Sequence, residues 1–566
     1  MTLSFDDSRR LTGPNLFSDR PGAVLQAAVE DVPIDRVVSV WERHARRLLD
    51  ALGWADSETF SKPFEGGAHL GFTAPYDALY AATEVNEAAW QAAAAALTDA
   101  DAPDDAATVE TLRAAIAAER APGLLALRSA AAERGLAFLP DDEFVTVGMG
   151  TGSRTWPADA LPHPSAVDWG ALHDVPVGLV TGTNGKSTTV RLVAAIANAA
   201  GRTAGQCSTD FVRVGDEVVE RGDWSGPGGA RAVLRDPRVE VAVLETARGG
   251  LLRRGLALDR ATAAVVTNVA EDHLGDYGIT SLDGLIEAKL IVRRAVERDG
   301  LLLLNADDAG LVRWAASYGG ALCWFSLDAD DPTLAAHRRA GGTVCFVDGG
   351  EIVYASDGER TALLPVSDVP LTLGGAARYN VSNALAAVAL AFALDLSADA
   401  VRTGLRSFRS DAHDNPGRGN VFSIGGARIL VDFAHNQHGA AAVAEAARAL
   451  PAERRLVLLS QPGDRTDREI QRFARAAWGV APDHIIIAEI PTYLRGRAPG
   501  EIPALIDDEL HRHGATEEHI THVADPVEGV RLALDWMAPG DLLLLFVLSH
   551  RNEVFALLHE AQAHAG

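Results

Sequence analysis

The sequence is poor in lysine. Of its 51 lysine and arginine residues, only Lys62, Lys186 and Lys289 are lysine. Arginine therefore fills almost every position that requires only a positive charge. An ammonium group is a compact charge on a flexible stem and can lose its proton, whereas a guanidinium group is broad and stays protonated. The three lysines are thus the first candidates for positions that need the chemistry of an amine.

Cysteine and long apolar runs are also scarce. The three cysteines, Cys207, Cys323 and Cys345, are odd in number and far apart, which argues against a disulfide framework and a cysteine zinc site. No apolar run approaches the roughly 18 residues of a membrane span, and the amino terminus lacks the apolar core of a signal peptide. These features predict a cytoplasmic protein that is neither exported nor embedded in a membrane.

Positive charge is in the minority. The 77 acidic residues give a formal net charge of −26 at pH 7. This charge repels phosphate backbones at long range and disfavours a nucleic-acid-binding role, although a local basic pocket could still hold a nucleotide. The proportions of hydrophobic and charged residues, 48% and 23%, are typical of a globular protein.

Three regions differ in pattern. Residues 1–165 predict a mostly helical α+β domain, interpreted as a module that binds substrate or a partner. Residues 166–416 alternate short apolar strands with helices, and residues 417–566 repeat this alternation on a smaller scale. Such alternation predicts mostly parallel sheets covered by helices on both faces. The expected fold class is therefore α/β, with two doubly wound domains after the helical one.

A phosphate-binding loop is predicted where the central region begins. The stretch GLVTGTNGKSTTVRLV, residues 178–193, places a glycine-rich turn between a strand and a helix. Such a turn directs backbone N–H groups and the positive end of the helix at an anion. The common pattern GxxxxGK[ST] has glycine where this chain has Val180, so the match is to a shorter variant. The alternative is an ordinary strand-to-helix turn with a surface lysine.

Within this loop Lys186 is expected to reach the β- and γ-phosphates of a nucleotide, and Ser187 to bind Mg²⁺. The predicted nucleotide-binding residues of the loop are Thr183, Asn184, Gly185, Lys186, Ser187 and Thr188.

Two further metal ligands are predicted at strand ends. Glu245 ends the apolar run VEVAVLE, and His273 follows ATAAVVTNV. Ligands of open parallel sheets lie beyond the carboxyl ends of the strands. Ser187, Glu245 and His273 would supply a hydroxyl, a carboxylate and an imidazole to one or two Mg²⁺ ions. The alternative for His273 is a hydrogen-bonded loop residue.

Five ordered motifs resemble those of the Mur ligase superfamily, and most closely the ligase domain of cyanophycin synthetases. They are GTNGKSTTVRLV, VLETARGGLLRRGL, VVTNVAEDHLGDYG, NPGRGN and PGDRTDREI, within about residues 170–566. The resemblance implies a central P-loop ATPase domain, a Rossmann-like carboxy-terminal domain and an ATP-dependent ligase. Residues 133–156 also resemble the segment that leads into the ATP-grasp domain of cyanophycin synthetases, for which this chain leaves no room.

The resemblance implies a specific role for Lys289. It lies in a helical segment near the apolar side, where a charge needs a partner or must be lost. In many Mur ligases the lysine at this place carries a carbamate that binds a second metal ion. The alternative is a lysine whose stem packs while its ammonium stays in water. Lys62 has no such context and is predicted to be an ordinary surface residue.

The resemblance also assigns residues to the rest of the nucleotide and to the two substrates. Asn305 and Asn383, the latter near Asn380, match asparagines assigned to the adenine, and Arg418 and Asp432 match residues that contact the nucleotide from the carboxy-terminal domain. Asp464 and Arg465 are expected to face the incoming amino acid. The candidates for a clamp on an acceptor carboxylate, or alternatively for a solvated helix face, are Arg248, Arg253 and Arg254.

The predicted reaction is acyl-phosphate ligation, with ATP, a carboxylate acceptor and an amino acid as partners. The predicted catalytic residues are Lys186, Glu245, His273 and Lys289. By analogy the amino acid is a basic one. The alternatives are a glutamate-adding ligase on a folate-like or polyglutamate acceptor, and a catalytically silent peptide- or polymer-binding protein. The sequence does not decide between a monomer and a homo-oligomer.

Overall fold

The computed structural model describes residues 2–101 and 104–565. The chain forms two compact units. Unit one comprises Met1–Lys186, Ala197–Trp324 and Ala389–Ser397, and unit two comprises Ser187–Ile196, Phe325–Val388 and Ala398–Gly566. The domain limits expected at residues 165 and 416 stay predictions.

The amino-terminal part of unit one is an antiparallel sheet, hereafter the N-terminal sheet, covered by helices. Its strands are β1 (Thr2–Leu11), β2 (Gly22–Glu30), β3 (Thr59–Phe64) and β4 (Gly67–Thr73), paired in the order β1-β2-β4-β3. The helices are α1 (Ile34–Ala51), α2 (Leu79–Thr98) and α3 (Asp105–Glu119). Trp41 on α1 is buried and donates its indole N–H to Asn86 on α2 at 3.0 Å.

A smaller layer follows before the central sheet begins. It consists of α4 (Pro122–Glu133) and an antiparallel meander of β5 (Phe138–Pro140), β6 (Phe144–Val147) and β7 (Arg154–Pro157). Leu127 on α4 packs against Val145 and Val147 on β6. The helices agree with the expected helical α+β region, and the two sheets are the β part that the sequence pattern did not locate.

The central sheet of unit one is mostly parallel. Seven strands pair in the order β11-β10-β9-β12-β8-β13-β14. The five strands from β9 to β14 in that order pair in parallel, whereas β10 pairs antiparallel with both β9 and β11. The strands are β8 (Val177–Thr181), β9 (Ala204–Cys207), β10 (Phe211–Val214), β11 (Glu217–Arg221), β12 (Val241–Glu245), β13 (Ala261–Val266) and β14 (Val296–Asn305). The carboxyl end of β8 therefore lies between those of β12 and β13.

The helices of this region are α5 (Lys186–Ala199), α6 (Pro227–Arg235), α7 (Arg248–Arg254), α8 (Leu282–Lys289) and α9 (Ala309–Ala315). The chain continues through β15 (Leu322–Ser326) and α10 (Pro332–Arg339). Unit two then contains an antiparallel meander of β16 (Thr343–Asp348), β17 (Glu351–Ser356) and β18 (Glu359–Pro365), followed by α11 (Arg378–Ala393) and α12 (Ala398–Ser407).

The carboxy-terminal part of unit two is a six-stranded sheet in the order β19-β20-β24-β21-β22-β23. Its elements are β19 (Asn420–Ile424), β20 (Ala427–Asp432), α13 (Gln437–Ala449), β21 (Arg455–Leu459), α14 (Asp467–Trp478), β22 (His484–Ala488), α15 (Glu501–Arg512), β23 (Ile520–Val523), α16 (Pro526–Trp536), β24 (Leu542–Phe546) and α17 (Arg551–Ala565).

Alternate residues of β20 in this sheet enter two different cores. Leu430 belongs to the core on one face, and Ile429 and Val431 to the core on the other. A strand buried on both faces reads as a continuous apolar run, which is the pattern of ARILVD. The α/β expectation, with a Rossmann-like carboxy-terminal domain, is confirmed.

Among the residues that the structure describes, the three cysteines are buried and form no disulfide. None of the helices in that part of the chain combines the length and apolar character needed to cross a membrane.

Candidate active site

The phosphate loop connects β8 to α5. Gly182 and Gly185 have φ angles of 148° and 86°, which side-chain-bearing residues rarely adopt. A β-carbon on Gly182 would also lie 1.9 Å from Thr267 Oγ1. Val180, at the glycine position of the longer pattern, is a fully buried residue inside β8. The shorter loop therefore begins only after the strand has ended.

Two residues that follow β13 hold this loop in place. Thr267 Oγ1 donates to the Asn184 carbonyl at 2.6 Å. The Asn268 side chain accepts from the Asn184 N–H at 3.0 Å and donates to the Asn184 carbonyl at 3.1 Å, while the Asn268 carbonyl accepts from the Thr183 N–H at 2.8 Å. The amides of Thr183 and Asn184 thus shape the loop, and their phosphate contact stays a prediction. Sequence reasoning missed Thr267 and Asn268, although their place after an apolar strand was a usable signal.

Lys186 is the first residue of α5 and is half-buried. Its ammonium donates to the Thr183 carbonyl at 3.0 Å, so the side chain folds back over the loop. Ser187 and Thr188 lie in the first turn of the helix, each 5% exposed. A helix amino terminus with a lysine over the preceding turn is an arrangement suited to binding a phosphate group.

Lys289, the last residue of α8, is almost fully buried. Its side chain is 5% exposed, so the structure does not support the alternative of an ammonium kept in water. Burial, the largest cause, and the positive charges of Lys186 and Arg248 together lower the pKa of Lys289 to about 7, against the opposing effect of Asp272. Two of the three lysines are therefore close enough to act on each other, and Lys289 is an amine that is partly neutral near pH 7.

Glu245 ends β12 and its side chain is buried. The carboxylate accepts a hydrogen bond from Thr209 Oγ1 at 2.9 Å. A buried carboxylate beside a hydroxyl offers the hard oxygen donors that Mg²⁺ prefers. The chemistry of Glu245 therefore fits the metal expected here, and the metal site itself stays a prediction.

His273 lies in the loop between β13 and α8, with φ at 51°. Its ring nitrogens lie 3.9 Å from an Asp272 carboxylate oxygen and 3.5 Å from an Asp276 carboxylate oxygen. Arg248 donates to the His273 carbonyl at 2.6 Å and to Asp276 at 2.7 Å. A histidine oriented by carboxylates is typical of metal sites, but the same contacts also suit a structural loop residue.

The three candidate acceptor arginines all lie on α7 and are not equivalent. Arg248 is committed to the His273 loop, as described above. Arg254 donates to the Arg10 carbonyl at 3.3 Å, and burial lowers the pKa of Arg254, together with the charges of Arg10 and Arg253. Arg253 is exposed. The structure thus leaves Arg253 as the arginine best placed to meet a ligand from solvent.

The two candidate adenine asparagines make backbone and side-chain contacts within their own units. In unit one Asn305 donates to the Thr267 carbonyl at 3.0 Å and accepts from the Asp307 N–H at 2.9 Å. In unit two Asn383 donates to Asn380 Oδ1 at 3.1 Å, and Asn380 donates to the Leu371 carbonyl at 3.0 Å. These contacts are sufficient for a structural role, and the adenine role stays a prediction.

Within unit two, side-chain hydrogen bonds connect the first turns of α5 to the NPGRGN motif. Asn415 donates to Thr188 Oγ1 at 3.3 Å and accepts from Arg191 at 3.0 Å. The same Asn415 side chain donates to the Arg418 carbonyl at 3.2 Å. Thr188 and Arg418, predicted separately as nucleotide ligands, are therefore connected through one asparagine that the sequence reasoning did not single out.

Asp432 and Arg418 are neighbours in this unit. Burial raises the pKa of Asp432 to about 6, opposed by the charge of Arg418. The guanidinium groups of Arg418 and Arg551 lie over the Phe433 ring, 5.8 and 4.9 Å from its centroid. A buried acid, an aromatic ring and two cations lie together at the carboxyl end of β20, and the nucleotide contacts of Arg418 and Asp432 stay predictions.

The PGDR turn follows β21. Asp464 is exposed and Arg465 is 7% exposed, with a guanidinium nitrogen 3.9 Å from Glu469. A β-carbon on Gly463 would lie 2.0 Å from the Leu494 carbonyl oxygen, so the glycine permits close approach of two backbone segments. The contact of Asp464 and Arg465 with an amino acid stays a prediction.

Comparisons with known proteins identify two Mur ligase domains in this chain. The Mur ligase middle domain matches residues 180–391, and the Mur ligase, glutamate ligase domain matches residues 417–546. Cyanophycin synthetase from Crocosphaera subtropica is 37% identical over 372 residues, which are 66% of this chain and 42% of that protein. The chain thus spans about two-fifths of the length of the cyanophycin synthetases it matches.

A second relative covers a larger share of its own length. UDP-N-acetylmuramoyl-L-alanyl-D-glutamate–2,6-diaminopimelate ligase from Chlorobaculum tepidum is 31% identical over 388 residues, which are 66% of this chain and 71% of that protein. A solved structure of E. coli FolC in complex with DHPP and ADP is 19% identical, covers 69% of this chain and 89% of that chain, and has a TM-score of 0.49. The resemblance drawn from the five motifs is confirmed, and the chain belongs to the Mur ligase family.

Proposed function

We propose that this chain is an ATP-dependent ligase that joins an amino acid to a carboxylate acceptor through an acyl phosphate. The observation that carries the proposal is the phosphate loop, in which Lys186 folds over the turn and acts electrostatically on the buried Lys289. Membership of the Mur ligase family supports the same reaction.

In the first step an acceptor carboxylate oxygen attacks the γ-phosphorus of ATP, and ADP leaves. In the second step the amine attacks the acyl carbon, phosphate leaves and the amine loses a proton. Catalysis of the first step is mostly positioning and charge neutralisation. Lys186 and the loop amides from Gly185 onward supply the positive ends that hold the β- and γ-phosphates.

Ser187, Glu245 and His273 are the proposed Mg²⁺ ligands. Bound Mg²⁺ would neutralise the charge that develops between the β- and γ-phosphates. The buried Glu245 carboxylate and its hydrogen-bonded Thr209 hydroxyl fit that role by their donor chemistry. The proposed contribution of Asp272 and Asp276 is to orient His273, whose ring nitrogens face both carboxylates.

Lys289 is proposed to carry a carbamate. A neutral lysine amine attacks the carbon of CO₂, and the nitrogen then loses one proton, which leaves an anionic carbamate. A lysine with its pKa lowered to about 7 is substantially neutral at the pH of a cell, so it can react without first overcoming a high pKa. This property separates Lys289 from every arginine in the chain.

The remaining assignments complete the substrates. Asn305 and Asn383 are proposed to contact the adenine, and Arg418 and Asp432 the nucleotide phosphates and sugar from the carboxy-terminal domain. The exposed Arg253, with Arg248 and Arg254 beside it on α7, is proposed for the acceptor carboxylate. Asp464 and Arg465 are proposed for the incoming amino acid.

The amino acid is proposed to be a basic one or glutamate. The similarity to cyanophycin synthetases and the net charge of −26 favour a cationic substrate. The match to the glutamate ligase domain favours glutamate as the second candidate. Chemically the two differ in the sign of the side-chain charge, so a single assay separates them.

The test is ADP release with Mg²⁺·ATP across the twenty amino acids and a panel of carboxylate acceptors, followed by the mass of the product. We expect ADP release that requires both substrates and a product heavier than the acceptor by one amino acid residue. The Lys186→Gln variant, folded but inactive, is the control. If no pair of substrates stimulates ADP release above the ATP-only rate, the chain is not such a ligase, and the peptide- or polymer-binding alternative is favoured.

A further inference from the structure

The loop that carries His273 has an unusual backbone. The His273 loop, residues 267–281 between β13 and α8, places two residues with side chains in the left-handed region, His273 at φ 51° and Tyr277 at φ 53°. Such residues persist only when their surroundings hold them there, because the conformation costs free energy that local contacts must offset. Some of the contacts that restrain the loop come from outside it.

The N-terminal sheet contacts one end of the loop directly. Arg9 on β1 is 4% exposed and its guanidinium lies 5.1 Å from the centroid of the Tyr277 ring. Gly278, at φ 66°, is enclosed from the same side: a β-carbon there would lie 2.6 Å from Phe64 Cδ1 and 2.9 Å from His69 Cε1. Strands β1, β3 and β4 therefore all reach the turn at residues 277 and 278.

Two of these side chains, Phe64 and His69, also pack in a cluster of aromatic rings. The His69 ring lies 5.1 Å from Phe64 and 5.5 Å from Phe17 between ring centroids, and Phe17 stacks on Phe60 at 4.8 Å. Burial lowers the pKa of His69 to about 3, with the charges of Arg9 and Lys62 acting in the same direction. His69 is therefore neutral at the pH of a cell, so its effect on the loop is that of a packed ring.

A second set of contacts links the sheet to the loop through α7. Arg9 Nε donates to the Leu252 carbonyl at 3.1 Å, and Arg248 at the start of the same helix donates to the His273 carbonyl at 2.6 Å. One buried arginine thus contacts both the loop, at Tyr277, and the helix whose first residue binds the backbone of His273.

Lys62, the third lysine, contributes a further contact between the N-terminal sheet and the candidate site. The sequence predicts Lys62 to be an ordinary surface residue, but its ammonium pairs with Glu287 on α8, two positions before Lys289. Asp19, in the segment between β1 and β2, pairs with Arg294 just after α8. The amino-terminal region therefore contacts the helix that carries Lys289 as well as the loop that carries His273.

We propose that the N-terminal sheet positions the His273 loop and α8, with Arg9, Phe64, His69 and Lys62 as positioning residues for the site. This inference rests on the proposed function for the roles of His273 and Lys289. It assigns the amino-terminal region a part in assembling the active site, in addition to any binding of substrate or partner.

Hydrogen exchange of peptides that cover residues 267–281 tests the inference without requiring turnover. The variants Arg9→Gln and Tyr277→Leu each remove one partner of the contact between the Arg9 guanidinium and the Tyr277 ring. The matched control is Arg10→Gln, the neighbouring arginine on β1, which pairs with Asp142 and lies over Tyr80. We expect severalfold faster exchange in the loop for the first two variants and an unchanged rate for the control.

Charge reversal at the exposed Lys62–Glu287 pair provides an independent double-mutant cycle that leaves the core unchanged. In Lys62→Glu and Glu287→Lys the two charges repel, and the double variant restores an opposite pair. We expect each single variant to raise the Mg²⁺ concentration for half-maximal ADP release, by at most about fivefold for a surface pair, with the KM for the acceptor unchanged. The double variant should recover the parent value.

Loop exchange that is equal in the parent, Arg9→Gln and Tyr277→Leu overturns the inference, as does an equal acceleration in Arg10→Gln. Single charge variants with the Mg²⁺ dependence of the parent overturn the part that concerns Lys62. A parent protein that releases no ADP with any substrate pair overturns the proposed function instead, and the exchange experiment still decides whether the sheet holds the loop.

Discussion

At the residue scale, the surroundings of two of the three lysines favour an amine over a guanidinium. Lys186 reaches back to the Thr183 carbonyl, and we expect a broader guanidinium to fit this turn less well. Lys289 is buried next to that charge and is partly neutral near pH 7. Lys62 pairs with Glu287, a contact that an arginine could also make. We therefore expect Lys186 and Lys289 to be required as lysines and Lys62 to tolerate replacement by arginine.

Lysine-to-arginine replacement at each position tests this distinction. We expect Lys186→Arg to lower kcat for ADP release by at least about 100-fold, the typical loss when one donor to a developing charge is removed. Lys289→Arg should also lower kcat, because a guanidinium forms no carbamate. Lys62→Arg should leave kcat within about twofold of the parent, since the ion pair survives. Steady-state kinetics measure all three, and full activity of Lys186→Arg would contradict the assigned role.

The lowered pKa of Lys289 predicts a dependence of stability on pH. The unfolded chain keeps the proton on this amine up to about pH 10, whereas the folded chain releases it near pH 7. Stability of the parent should therefore rise between about pH 7 and pH 10, by about 1.4 kcal/mol per unit from this group. The Lys289→Met variant has no amine to deprotonate and lacks that rise. Its free energy of unfolding should therefore exceed that of the parent by the largest amount below pH 7.

Urea unfolding of the parent and of Lys289→Met in buffers without CO₂ at pH 6 to 9 measures the difference. Lys62→Met is the matched control for the loss of a lysine elsewhere. A difference between parent and Lys289→Met that does not change with pH would show that Lys289 is not held with a lowered pKa.

At the scale of elements, the phosphate loop depends on its neighbour strand. Gly182 approaches Thr267 so closely that a β-carbon would lie 1.9 Å from its hydroxyl. Gly182→Ala should therefore displace the loop and weaken ATP binding by at least about tenfold, because both the φ angle and the contact are lost.

The control for that change is Gly201→Ala, just after the carboxyl end of α5. Gly201 also has a positive φ, 76°, but a β-carbon there meets no atom within 4 Å. The Gly201→Ala substitution should lower the free energy of unfolding by about 1 kcal/mol and leave the dissociation constant for ATP unchanged. Calorimetric titration with nucleotide and thermal unfolding measure both quantities, and equal ATP affinity of the two variants would refute the role of Gly182.

Local patterns were predictable from the sequence, and contacts between distant segments were not. The phosphate loop was visible because strand, glycines and helix are contiguous in residues 178–193. Thr267 and Asn268 hold that loop from more than 80 positions away, and nothing in a short window indicates the pairing. The N-terminal sheet likewise depends on pairing between distant segments, since β2 pairs with β4 across the whole of α1.

The buried position of Lys289 is an intermediate case. Its place near an apolar stripe was visible in the sequence, but the choice between a buried amine and an ammonium in water depended on how the surrounding elements pack. The 5% exposure of the side chain settles burial. It follows from tertiary packing, which a helical pattern alone does not contain.

At the scale of the whole molecule, charge limits the class of partner. A net charge of −26 gives long-range repulsion of polyanions, while the phosphate loop is a local exception built from amides and one ammonium. We expect fluorescent DNA and RNA oligonucleotides to show no anisotropy change at about 0.15 M salt with micromolar protein, under conditions in which a fluorescent ATP analogue binds. Binding of the oligonucleotides would contradict this reading of the charge.

The two compact units also divide the proposed chemistry. The phosphate loop through Lys186, together with Glu245, His273 and Lys289, lies in unit one, and Arg418 and Asp432 lie in unit two. The central claim is that ATP binds at the phosphate loop.

A crystal structure with Mg²⁺ and a non-hydrolysable ATP analogue tests that claim most directly. The account predicts the β- and γ-phosphates on the amides from Gly185 onward, with Lys186 Nζ moved from the Thr183 carbonyl to the phosphate oxygens and a metal ion at Glu245. A triphosphate bound elsewhere, with the phosphate loop and Lys186 unchanged, would contradict it.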